Sequence, residues 1–222
     1  MKANRFFMTA IFSIIGVLAA AQPWMMRPQG PANEFSAMEG TSVLNYNLQM
    51  ERDIHSRAGY GPAFYIFPDS KLDNNQALEL AGNLDLINII KEYGGRIMVV
   101  NPSSDKWQDQ DLENFRRLIG MGGAPTNVKV IGIGSGATFV NRQLAATDLT
   151  GVIAGIVSID GEPGKICKLP VPAFIGGKNA TKTAKPYQST SDAAPADPLQ
   201  KVVVNTDKKA SLETLFAEAW DK

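Results

Sequence analysis

From residue 63 onward the chain alternates between two hydrophobic patterns. Short continuous apolar runs at 63–67, 96–100, 151–159 and 171–175, and another opening at 128, are rich in β-branched and aromatic residues and are closed by Pro, Asn, Asp or Gly. Such runs predict buried strands and their exit turns. Between them, apolar positions recur every third or fourth residue. Ala77, Leu80, Ala81, Leu84, Ile87 and Ile90 predict a helix over 74–93, stopped by Gly94 and Gly95. Leu112, Phe115, Leu118 and Ile119 predict a second over 109–119, and 137–146 and 212–220 predict two more. Residues 201–204 read as a last short strand and 41–50 as an edge strand, whereas 181–198, rich in Thr, Ser, Ala and Pro, reads as loop. Strands that are apolar throughout need cover on both faces. The expected fold class is therefore α/β, a mostly parallel, doubly wound sheet between helical layers, with one domain spanning 61–222.

The first 60 residues follow neither pattern. Lys2 and Arg5 precede an apolar stretch over 6–20, and Ala19-Ala-Ala21 offers a small-residue cleavage site. This predicts a signal peptide over 1–21 and a mature chain that begins at Gln22, exported to a periplasm or the medium, with no stable membrane anchor after cleavage. Residues 22–60 read as a lead-in carrying the edge strand.

Composition removes several functions. Lys and Arg number 22, as do Asp and Glu, so the chain lacks the basic footprint of a nucleic-acid partner. Cys167 is the lone cysteine, which excludes an intrachain disulfide and a cysteine-based zinc site. His55 is the lone histidine and falls in a polar loop, so the usual general base is scarce. Asp105, Asp109, Asp111 and Glu113 gather at a helix N-terminus, where acids complement the helix dipole, and they are read that way and not as a metal site. No metal and no cofactor is expected.

One stretch carries candidate chemistry. Val128-Lys-Val-Ile-Gly-Ile-Gly-Ser-Gly-Ala137 passes from strand through three alternate glycines into a helix. A nucleophile elbow uses this grammar, with small residues two before and two after the tip because the turn is crowded. Gly132 and Gly136 fit those flanks and put Gly134 at the tip. The other register makes Ser135 the nucleophile, flanked by Ile133 and Ala137, where a β-branched side chain fits poorly. A dinucleotide-binding turn is the second use: Gly132, Gly134 and Gly136-Ala137 match its fingerprint, with Asp160 placed as the ribose acid. A glycine turn that only packs helix on strand is the third.

In order and spacing the segments resemble the α/β-hydrolase fold, and more closely secreted esterases of the polyhydroxybutyrate depolymerase and feruloyl esterase kind. The resemblance rests on Ile97-Met-Val-Val-Asn-Pro102 with Trp107, on 111–119 followed by 128–137, on Val152-Ile-Ala-Gly-Ile-Val-Ser-Ile-Asp-Gly161, and on Leu169-Pro-Val-Pro-Ala-Phe-Ile-Gly-Gly177 with Lys185-Pro-Tyr187. It implies a serine nucleophile at the elbow, an acid after the strand ending at Gly177, and a histidine last. This chain offers Gly134, then Lys178, Asn179 and Ala180, and no histidine after His55. The expected function is thus an exported hydrolase-like protein without catalysis, lacking the family's final strand and histidine loop, with a binding or scaffolding role. Its ligand would be an ester, carboxylate or carbohydrate, held in an oxyanion-type nest near Ser135, Asp69 and Ser70. The alternatives are a serine esterase using Ser135 with a histidine supplied from elsewhere, and a dinucleotide-binding protein. An open sheet edge would invite a partner chain or self-association.

Overall fold

A computed structural model describes residues 43–46, 62–93, 96–121, 127–193, 201–207, 211, 214, 215, 218 and 219. All lie in the compact unit Glu34–Lys222. The signal peptide, most of the lead-in and His55 fall outside the described residues.

Seven strands form one sheet: β1 (Val43–Tyr46), β2 (Ala63–Phe67), β3 (Arg96–Val100), β4 (Val128–Ile133), β5 (Ile153–Ile159), β6 (Ala173–Gly176) and β7 (Val202–Asn205). Their spatial order is β1-β3-β2-β4-β5-β6-β7. β1 runs antiparallel to β3, and every other neighbour is parallel. This is the α/β-hydrolase fold in which the continuous apolar runs become doubly covered strands. Tyr65, Ile66, Phe67, Val130 and Ile131 are fully buried. β7 is the outermost strand on its side, and among the described residues no strand follows it.

The connecting helices are α1 (Asn74–Asn83), α2 (Leu86–Tyr93), α3 (Asp109–Met121), α4 (Ser135–Phe139) and α5 (Ala180–Ala193). The single helix expected over 74–93 is two. Leu84 and Asp85 break it, Asp85 with φ +56°, while the apolar spacing continues across the break and so conceals it. α1 is fixed at its start by a capping box. Asp73 accepts from the N–H groups of Asn75 and Gln76, and the Gln76 side chain accepts from Asp73 N–H. α3 carries Asp109 and Asp111 in its first turn, where buried Asp111 accepts from the N–H groups of Ser103 (2.9 Å) and Gln108 (2.8 Å). Asp111 thus fastens the chain that leads into the helix, while Asp109 accepts from Gln143 Nε2 (2.7 Å) and Glu113 pairs with Arg116.

α5 corrects the loop expected over 181–198. Ala180, Thr183, Ala184 and Tyr187 recur at helical spacing and are all buried. Small residues made that stripe easy to overlook, and Pro186 lies inside the helix. The C-terminal helix is described only in part, with Leu215 buried.

Beneath the carboxyl ends of β2 and β4 sits an aromatic cluster. Phe67 meets Trp107, Phe115 and Phe139 at ring-centre distances of 5.3, 5.1 and 5.7 Å, and Trp107 stacks on Phe139 at 4.8 Å. It joins α3 and α4 to the strand ends that carry the candidate site.

Candidate functional site

In an open α/β sheet, ligands are met at the carboxyl ends of the strands. Here those ends are joined by backbone hydrogen bonds that run past the strands themselves. Gly134 N–H donates to Ile159 O (2.9 Å), Asp160 N–H to Gly176 O (3.0 Å) and Gly177 N–H to Asn205 O (3.2 Å). The loops after β4, β5, β6 and β7 are therefore held side by side.

β4 leads directly into α4 through Gly134, whose φ of +56° and ψ of −117° lie where L side chains are strained. Gly134 is thus the tip of the turn, and the glycines around it are there for close packing. A Cβ on Gly132 would lie 2.6 Å from Ala137 Cα and 2.9 Å from Ala137 N. One on Gly136 would lie 2.5 Å from the Phe67 carbonyl carbon and 2.5 Å from Pro68 O. The helix starts hard against the end of β2, which is how an elbow thrusts its tip residue outward. Here that residue has no side chain.

The space is filled from another loop. A Cβ on Gly134 would lie 2.6 Å from Asp69 Cγ and 3.0 Å from Asp69 Cβ. Asp69 Oδ1 accepts a 2.6 Å hydrogen bond from Ser135 N–H, the donor that follows the tip. In an active elbow the corresponding N–H belongs to the oxyanion hole. The Ser135 hydroxyl donates to the backbone carbonyl of Asp69. Asp69 and Ser135 do come together, but the Asp69 side chain joins the nest as an acceptor and occupies its donor. Ser70 is exposed beside them. A negative carboxylate at this N–H also opposes a pyrophosphate, so the geometry runs against the dinucleotide alternative.

The loop carrying Asp69 is fastened at both ends. Trp107 Nε1 donates to Pro68 O (3.1 Å). Asn101, buried at the end of β3, accepts from Leu72 N–H (3.0 Å) and donates to Leu72 O (2.8 Å). This side-chain clamp mimics a strand pair and sets where Asp69 sits.

The position of the triad acid, after β6, holds Gly177 (φ +100°), Lys178 and Asn179. Asp160, itself at φ +56°, turns its Oδ1 toward this loop and accepts from Lys178 N–H (3.1 Å). The ribose acid of the dinucleotide alternative is thus engaged in structure. In the chain order nucleophile, acid, histidine, the next loop is that after β7. It carries Thr206 and Asp207 and precedes the C-terminal helix.

Behind the elbow, α4 continues as a π-helical turn over Val140–Leu144. It exposes buried Asn141 to two partners: Asn141 Nδ2 donates to Glu162 O (2.9 Å), and the Tyr187 hydroxyl donates to Asn141 Oδ1 (2.9 Å). Burial, with Cys167 nearby, keeps the Tyr187 hydroxyl protonated far above its usual range. The same burial pushes the Cys167 thiol up, away from the thiolate a nucleophile needs. These groups hold the elbow helix, the loop after β5 and α5 together. Among the described residues no three His, Cys, Asp or Glu side chains are grouped to hold a metal ion.

The sequence named Asp69 only as a source of backbone donors and missed its carboxylate as an internal ligand. An acid directly after β2, combined with glycine at the elbow tip, was the available signal.

No protein-family model and no curated protein sequence matches the chain. Solved structures do. A protein assigned as a dienelactone hydrolase from Klebsiella pneumoniae superposes with a TM-score of 0.52 at 11% identity, over 82% of this chain and 90% of that one. Est1E from Butyrivibrio proteoclasticus gives 0.50 at 10% identity, over 82% and 93%. At such identities the likeness establishes the fold and carries no activity across.

Proposed function

We propose that this chain is a non-catalytic relative of the secreted esterases, of the polyhydroxybutyrate depolymerase and feruloyl esterase kind, that binds at the old substrate end of its sheet. One observation carries the reading: Asp69 fills the space of the missing nucleophile side chain and takes the N–H that would stabilise an oxyanion. Ester hydrolysis needs an attacking group, a base and that donor, and removing triad members forfeits most of the acceleration. Ser135, the alternative nucleophile, gives its hydroxyl proton to a backbone carbonyl, and a peptide carbonyl is too weak a base to activate it.

The test is hydrolysis of p-nitrophenyl acetate and butyrate by the full chain beside its Ser135→Ala variant. Both are expected to match a folded, unrelated control. Turnover that Ser135→Ala abolishes would sink the reading and restore the esterase alternative.

Export belongs to the same proposal and rests on the N-terminal pattern of basic, apolar and small residues. Expressed with its leader in a bacterial host, the chain is expected to appear outside the cytoplasm with Gln22 at its N-terminus. Intact-mass analysis showing residues 1–21 retained on cytoplasmic protein would refute it.

A further inference from the structure

Beside the elbow lies a cleft of about 240 Å³. One wall is the fastened loop after β2, the other is α1, and Ile133 at the end of β4 closes the floor. α1 presents Gln76, Glu79, Leu80 and Asn83 to it, a single helical stripe, while Ala77 and Ala81 on the opposite face are buried in the core. Leu72, Leu80 and Ile133 are half-buried and form an apolar patch. The rim is polar, and among the described residues its charges are of one sign, from Asp69 and Glu79. Among those residues no basic side chain lines it, and Lys71, between two lining residues, is not one of them.

A small apolar floor under a few polar groups is the form of a small-molecule site, and this volume lies below that of drug-sized pockets. An oxyanion hole favours developing negative charge. Here the hole's donor is spent on Asp69, and two acidic residues, Asp69 and Glu79, line the adjoining cleft. The electrostatic preference of the site is therefore reversed. From this geometry we infer that the cleft binds a small amphiphilic cation: a primary ammonium on a short aliphatic body, its charge against Asp69 and Glu79 and its chain over Leu72, Leu80 and Ile133. The inference rests on the non-catalytic reading, because an active hydrolase would need the same space for an ester.

The loop is already clamped by Asn101 and Trp107, and α1 is already capped, so little ordering opposes binding. With so few ligand atoms, a Kd on the order of 1–10 mM is expected. The probe is n-butylammonium, compared with its neutral and anionic counterparts 1-butanol and butyrate at equal ionic strength. Amide spectra of the 15N-labelled full chain provide the readout. n-Butylammonium should give saturable shifts centred on Ser70, Leu72 and Leu80. 1-Butanol should bind at least about fivefold more weakly, and butyrate should leave these amides unmoved. Glu79 is exposed, so Glu79→Gln should fold normally and weaken n-butylammonium about fivefold, the scale of one solvent-exposed ion pair. Butyrate or 1-butanol binding as well as the ammonium, shifts that never saturate, or indifference to Glu79→Gln would each overturn the inference. Ester turnover is a separate readout. Its appearance defeats the non-catalytic reading, whereas failed ammonium binding without turnover defeats only this one.

Discussion

Gly136→Ala is expected to cost about 4 kcal/mol or more, a large part of the stability of an ordinary domain. The added methyl group would meet the backbone of Phe67 and Pro68, with carbonyl atoms at 2.5 Å. Backbone cannot rotate aside as a side-chain tip can. The end of β2 would have to withdraw, and Phe67 is paired with Gly132 across the sheet and packed against three other aromatic rings. Overpacking of a rigid site commonly costs about 1–3 kcal/mol, and this site combines a main-chain clash with disruption of the aromatic cluster. Gly120→Ala is the matched control. Gly120 lies in α3 with nothing within 4 Å of an added Cβ, so the same change should be neutral or stabilise by up to about 1 kcal/mol. Urea denaturation with a common m-value separates the two. Equal midpoints for both variants would mean that β2 yields freely and that the elbow is not tightly packed.

The difference between these glycines also marks what the sequence could and could not reveal. Gly132, Gly134 and Gly136 announced a strand–turn–helix because glycine at alternate positions after a β-branched run has few other uses. Strand identities were legible for a similar reason: burial on both faces leaves continuous apolar runs such as Ala63–Phe67. α5 was hidden because its buried stripe, Ala180, Thr183, Ala184 and Tyr187, is mostly small, and the Thr, Ser and Pro around it read as loop. The break at Asp85 was hidden because a positive φ on aspartate leaves no trace in the hydrophobic pattern. The candidate site was legible as a turn but not as an arrangement. Asp69 and Ser135 are 66 positions apart, and only the sheet order, with β2 beside β4, brings the carboxylate onto the N–H. A clamp such as Asn101 on Leu72 is silent in sequence for the same reason.

That long-range contact makes a second large effect measurable. Gly134→Ala should cost about 3 kcal/mol, from two sources that can be separated. One is conformational: alanine at φ +56° and ψ −117° carries about 1–3 kcal/mol of strain wherever its neighbours are. The other is steric and specific, because the new methyl group would lie 2.6 Å from Asp69 Cγ and would expel the carboxylate from Ser135 N–H. In an Asp69→Gly background the second source is gone, so Gly134→Ala should cost only its strain. The cycle should therefore show a coupling of about 1–2 kcal/mol between residues 69 and 134, within the range found for groups in contact. Additivity to within about 0.5 kcal/mol would show that Asp69 does not occupy the tip in solution. The sign also bears on how the site works. An elbow built for a nucleophile tolerates a side chain at its tip and keeps the adjacent N–H available. Here the chain's own carboxylate excludes the side chain and uses the N–H, so glycine at 134 and aspartate at 69 are two halves of one arrangement. Gly134→Ser alone should then displace the Asp69 carboxylate in the same way and yield a destabilised protein that, with no base beside the new hydroxyl, is no esterase.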